Sequence, residues 1–414
     1  MLRERSVFES PTIRSDRPMK LPNTFLWGAA TSPHQTEGNN VNSDWWALES
    51  SALPMIPERS GDAVDSYHRY REDMTLLGQA RLNAYRFGVE WARIEPERGQ
   101  ISQAMLDHYR RMIDTARECG LTPMVTLHHF TSPQWFAEAG GWVAPDAVER
   151  FADYVRAVAP ILVDVPWVCT INEPNMVAIF AAAQRLVSDP ESFSAMTSGA
   201  MPDPDPDSGK ILIDAHHAAR AILRAETDAA VGWSVAQQAF VAAPGCEEQL
   251  AAANHIWEDP YLIAARDDDF VGVQAYTSRT VGPDGIIEHP EHPDNTLTGW
   301  AYRPDALGIA VRHAWEVTGG TPIVVTENGI ATDDDTKRIA YTAEALAHLG
   351  QAMADGIDVR GYLHWSALDN YEWGRWRPTF GLIAVDRRTF TRTPKPSLAW
   401  LGEMARGNTL PGPR

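Results

Sequence analysis

The sequence predicts an α/β fold, a single (β/α)8 TIM barrel over residues 22–414. Three observations carry that prediction. Short apolar runs rich in β-branched residues recur along the chain, as expected of strands buried on both faces. Stretches with helical spacing or turn-rich loops separate them, which is the alternation a parallel sheet requires. The runs number eight, the count that closes such a sheet on itself, and a chain of 414 residues suits one barrel with insertions.

Residues 1–21 mix Arg3, Arg5, Arg14, Arg17 and Lys20 with Glu4, Glu9 and Asp16, and no apolar run follows. They read as an irregular N-terminal extension without a signal peptide. The first strand is 25–31, and Gln35, Glu37, Asn39 and Asp44-Trp45-Trp46 follow it closely. Amides, acids and aromatics grouped after a strand suit a polyol-binding loop. Tyr67, Tyr70, Met74 and Leu77 give 65–79 a helical period. The second strand, 83–91, contains Arg86. A charge in a buried strand needs an acidic partner, either in an ordinary ion pair or as the cation that keeps a functional carboxylate ionised.

A helix over 105–119 precedes strand three, 123–130. His128 and His129 are neighbours there, so they point to opposite faces and do not pair on a metal. Residues 144–159 are helical, and strand four, 167–172, runs into Glu173-Pro174. Ser, Pro and Asp crowd 188–209, which reads as a surface loop. A helix over 214–226 would carry His216 and His217 on its surface. Strands five and six are 231–236 and 269–276; a long loop over 281–300 and a helix over 304–317 follow. Strand seven begins at Pro322 and ends in Thr326-Glu327-Asn328-Gly329, where the glycine is expected to permit a sharp turn. A helix over 336–354 leads to strand eight, 359–366, which opens into Asp369-Asn370-Tyr371-Glu372-Trp373.

The balance of 36 Lys+Arg against 55 Asp+Glu, a net charge of -19, argues against nucleic acid. It favours a soluble protein with a neutral or cationic ligand. No apolar run is long enough to span a membrane. Three cysteines, Cys119, Cys169 and Cys246, make no disulfide framework and point to a reducing, cytoplasmic compartment. Without an HExxH or CxxC pattern or a glycine-rich phosphate loop, no metal and no cofactor is expected.

Glu173 and Glu327 each end a buried strand. A lone glutamate after a strand is more often a solvated loop residue or a helix N-terminal charge. If both strands belong to one barrel, however, both carboxyls stand at its C-terminal mouth. Two carboxyls facing each other across a cleft, at roughly 5–5.5 Å, are what retaining glycoside hydrolysis uses.

The segments 25–38, 67–91, 126–133, 170–174, 298–307, 326–329, 365–373 and 380–386 together resemble glycoside hydrolase family 1, the β-glucosidase family, in the family's order and from about Pro22 onward. The resemblance implies double displacement, with Glu173 as acid/base and Glu327 as nucleophile. It implies that Arg86 and Tyr276 hold the nucleophile and that Asn172 donates to a sugar 2-hydroxyl. Gln35, His129, Glu372 and Trp373 match residues that read the 3-, 4- and 6-hydroxyls. Trp365 matches the platform beneath the ring, and Trp300 an aromatic on the aglycone side. The implied substrate is a small unphosphorylated β-O-glycoside cleaved from its end. Glu372 stands where the phospho-glycosidase branch lacks the acid, and Glu173 where plant thioglucosidases carry Gln. The same two glutamates would also serve transfer to an alcohol; a non-catalytic sugar-binding barrel would need neither. Phe130, where many members have Trp, and Gln274-Ala275 before Tyr276 depart from the pattern. The sequence leaves the oligomeric state and the natural aglycone open.

Overall fold

The computed structural model describes residues 19–51, 56–187 and 201–411. The expected N-terminal extension, apart from its last residues, and most of the loop expected over 188–209 lie outside them. Eight parallel strands close a barrel. They are β1 (Leu26–Ala30), β2 (Ala84–Gly88), β3 (Thr122–His129), β4 (Trp167–Asn172), β5 (Ala230–Ala236), β6 (Phe270–Gln274), β7 (Ile323–Asn328) and β8 (Val359–Trp365). Each pairs with its neighbours in chain order, and β8 returns to β1.

The apolar runs are explained by two-sided burial. Alternate residues such as Trp27, Phe87, Val125, Val168, Trp233, Val271, Val325 and Tyr362 belong to the main core beneath the helices. A second, smaller cluster takes one residue from each strand: Leu26, Ala84, Met124, Trp167, Ala230, Phe270, Val324 and Leu363. This plug fills the barrel below the level of Arg86 and Glu327, so the polar side chains above it have only the C-terminal mouth to face.

The covering helices are α1 (Ser66–Gln79), α2 (Gln103–Glu118), α3 (Ala147–Val158), α4 (Pro174–Val187), α5 (Pro206–Glu226), α6 (Glu247–Trp257), α7 (Asp259–Ala264), α8 (Ala306–Thr318), α9 (Asp335–Ala354) and α10 (Pro396–Gly407). No helix among the described residues is long and apolar enough to cross a membrane. The ends of the described chain meet where Met19–Lys20 pairs with Thr409–Leu410.

Two expectations are corrected. Helix α5 begins at Pro206, not 214, because Asp205 caps it through the Ser208 N–H at 2.7 Å and proline fits the first turn. His216 is then buried rather than on the surface: it meets Thr170 Oγ1 at 2.7 Å and Asp268 at 3.1 Å, with Arg220 also on Asp268. Gly329 is required for a different reason from the one expected. Its φ is not left-handed; a Cβ there would lie 2.0 Å from the carbonyl oxygen of Trp365. Since that obstacle is backbone, Gly329→Ala is expected to destabilise the fold by about 3 kcal/mol and to displace Trp365. Urea unfolding checks the first effect and ligand affinity the second; a variant as stable as wild type would contradict the crowding.

Candidate active site

The mouth of the barrel holds a cavity of about 350 Å³, within the range of small-ligand sites. Glu173 and Glu327 both line it. Glu327 is buried near the C-terminal end of β7. Arg86 reaches across from β2, fully buried, and donates from Nη1 to Glu327 Oε1 at 2.6 Å. The Tyr276 hydroxyl donates to Glu327 Oε2 at 2.6 Å. Register places Gln274 beside Glu327 on the neighbouring strand. Both carboxylate oxygens are thus held.

Glu173 differs in every respect. It sits between β4 and α4 with φ at +47°, a conformation that costs roughly 1–2 kcal/mol for a residue with a Cβ. Its N–H is tied to the Ser234 carbonyl at 2.7 Å and its own carbonyl accepts from Val177 at 3.0 Å. Among the described residues no donor reaches its carboxyl. Burial pushes its pKa well above the usual carboxyl range, the charge of Glu327 adds to this, and Arg86 opposes it. Burial also raises Glu327, but Arg86 and then Tyr276 work against the rise. One guanidinium balances one carboxylate, and the donors favour Glu327 for the charge and Glu173 for the proton.

Asn172 pairs in register with His129. Its Oδ1 accepts from Arg86 Nη2 and from Gln274 Nε2, the latter at 2.8 Å. Its Nδ2 must therefore be the donor toward His129 Nε2 at 3.2 Å. Burial, and then the Arg86 charge, hold His129 neutral, so its one ring hydrogen is on Nδ1. That buried Nδ1 has no partner among the described residues. His128 points outward to Ser132, as the alternation of a strand requires.

Around the rim, Gln35 donates to Glu372 Oε2 at 3.1 Å and to the Tyr371 carbonyl at 2.8 Å. Trp365 Nε1 donates to Glu372 Oε1 at 3.2 Å. Burial raises the Glu372 pKa well above its ordinary value against those two bonds. Trp365 and Trp373 both lie nearly parallel to His129, and Trp373 is backed by His34 at 5.7 Å and Trp45 at 4.8 Å. Phe130, with φ at +66°, meets Trp373 edge-on at 5.0 Å. Trp300 packs on Tyr276 at 5.7 Å and stays 39% exposed.

Glu173, Tyr276, Glu327 and the seven rim residues named from sequence therefore line one cavity, and Arg86 and Asn172 are hydrogen-bonded to its Glu327 and His129. The sequence reading gave no role to Thr126, which holds Arg86 Nε at 3.0 Å, nor to Met176, Phe180 and Arg279, which also line the cavity. Helical spacing from Glu173 could have found Met176 and Phe180. No group of three or more His, Cys, Asp or Glu among the described residues is placed to hold a metal.

The chain matches the model of glycosyl hydrolase family 1 over residues 17–196 and 246–410. It is 30% identical to thermostable β-glucosidase B of Thermobispora bispora, over 95% of this chain and 92% of that protein. It is also 30% identical to β-glucosidase A of Thermotoga maritima, over 94% and 99%. Among solved structures it resembles β-glycosidase BGL167, with TM-score 0.85 and 45% identity over 93% of this chain and 97% of that one. The family 1 β-glucosidase from Thermotoga maritima gives TM-score 0.84 at 27% identity, over 94% and 99%. The closed eight-stranded barrel and these matches over nearly the full length lead to one conclusion: the chain is a glycoside hydrolase and belongs to glycosyl hydrolase family 1.

Proposed function

We propose that the enzyme is a retaining, exo-acting β-glucosidase that hydrolyses unphosphorylated β-O-glycosides through a glycosyl-enzyme ester. The observation that carries this reading is the asymmetry of the two glutamates: Glu327 held by Arg86 and Tyr276, Glu173 without a donor among the described residues and biased to keep its proton. In the first step a Glu327 oxygen attacks the anomeric carbon from the α face, and Glu173 gives its proton to the departing oxygen. In the second step Glu173 takes a proton from water, which attacks the anomeric carbon from the β face. Glu327 leaves as carboxylate and the sugar is released with its β configuration. Esterification removes the charge on Glu327, one of the causes that raises Glu173, while Arg86 remains. The acid of the first step thereby becomes a competent base for the second.

The remaining groups suit a neutral polyol. The second hydrogen of Asn172 Nδ2, the Nδ1 hydrogen of His129, and Gln35 with Glu372 are available to hydroxyls, and Trp365 offers a ring face. Among the described residues no cation pairs with Glu372, which favours a free 6-hydroxyl over a 6-phosphate. Proton NMR of an early time point tests the reading: β-glucose is expected first from 4-nitrophenyl β-D-glucoside, with the α anomer growing only by mutarotation. α-Glucose as the first product, or inactivity on β-glucoside, galactoside, fucoside and xyloside alike, would overturn it.

A further inference from the structure

Arg279 lines the cavity, yet among the described residues no carboxylate lies within 4.0 Å of it and no group hydrogen-bonds its side chain. Its position is nonetheless well fixed. The Arg279 N–H donates to the Gln238 carbonyl at 3.1 Å, and its carbonyl accepts from Val241 at 2.9 Å. The next residues, Thr280–Gly282, form a small sheet with Val241–Ala242 and Gly285–Ile286. The acid that bears on its charge is Glu288, an exposed residue beyond ion-pair distance. A partly buried guanidinium without a counterion is unfavourable, and its planar fork matches a carboxylate.

The side of the cavity identifies where that carboxylate would be. The polyol-reading groups come from β8, β1 and β3: Glu372 and Trp373 after β8, Gln35 after β1, His129 at the end of β3. Glu173 follows β4, and the leaving group departs on its side. Gln238 and Arg279 follow β5 and β6, the next two strands in the ring, and Trp300 lines the same cavity. Resting on the hydrolase reading above, we propose that Arg279 is a leaving-group subsite for a carboxylate, so that the enzyme selects β-glucosides of carboxylated phenols or alcohols.

The test separates binding from turnover. Titration calorimetry with the 3- and 4-carboxyphenyl 1-thio-β-D-glucosides, against their carbamoyl counterparts, measures the preference without hydrolysis. Wild type is expected to bind one of the acids about tenfold tighter than its amide, the advantage shrinking with added salt. Arg279→Gln is expected to lose the advantage and Arg279→Lys to keep part of it, with thermal unfolding confirming that both fold. No carboxylate advantage at either ring position in wild type, or one that persists in Arg279→Gln, overturns the proposal. A carboxylate advantage that depends on Arg279, in an enzyme that turns over none of the matching O-glucosides, would support this subsite and count against the hydrolase reading alone.

Discussion

Glu327→Ala is expected to lower turnover of 4-nitrophenyl β-D-glucoside by on the order of 10⁴–10⁶-fold, and added azide is expected to restore part of it. The variant loses the attacking oxygen and also the counterion of Arg86, whose Nη1 gives 2.6 Å to that carboxylate. A buried guanidinium left unpaired costs about 3–5 kcal/mol, so a lower unfolding midpoint should accompany the lost activity. Azide addresses both deficits. It is a small anion that fits the space of the missing carboxylate, beside the Arg86 and Tyr276 donors. Attacking from that face, it inverts the anomeric carbon and gives α-glucosyl azide. The product is identified by its anomeric proton coupling. A β-glucosyl azide, or a variant that stays fully active, would remove Glu327 from the nucleophile's place.

The strands were legible because two-sided burial leaves a plain trace. Every residue of β7 is buried, so Ile323, Val324 and Val325 are apolar and β-branched, and the glutamate that ends the run stands out. Partners across the barrel leave no such trace. Arg86 showed that it needed an acid, but only closure of the sheet brings it to Glu327. Gln274 was visible as a departure from the family pattern; its place beside Glu327 follows from the register of β6 against β7, and its bond to Asn172 on β4 from closure of the barrel. Gly329 was read from its local conformational freedom, while its actual constraint is the Trp365 carbonyl from the neighbouring strand. His216 was misplaced because the Pro-rich approach to α5 hid a helix start at Pro206. Arg279 looked like any loop arginine. That no described carboxylate pairs with it is a fact about the space around it, which no local pattern encodes.

Glu173→Ala is expected to produce losses that depend on the leaving group. Glu173 serves the departing oxygen, so its proton matters most where that oxygen is most basic. Methyl β-D-glucoside should lose on the order of 10²–10⁴-fold in kcat/KM, while 2,4-dinitrophenyl β-D-glucoside, whose phenolate leaves unaided, should keep most of its first step. The second step then limits, the ester on Glu327 accumulates, and the dinitrophenolate appears as a burst. Azide should accelerate that step and yield β-glucosyl azide, because the anion reaches the anomeric carbon from the side Glu173 has vacated. The pH profile carries a further sign. In wild type burial, and then the charge of Glu327, hold the Glu173 proton above the ordinary carboxyl range; kcat/KM is present while that proton is bound and falls as pH rises through the Glu173 pKa. Removing the group should abolish this alkaline limb for the dinitrophenyl substrate. The acid limb, set by protonation of Glu327, should remain. Equal losses for methyl and dinitrophenyl glucosides would mean that the side chain merely supports the fold. An alkaline limb unchanged in the variant would mean that the titrating acid is another group, and the raised carboxyl of Glu372 would be the next to replace.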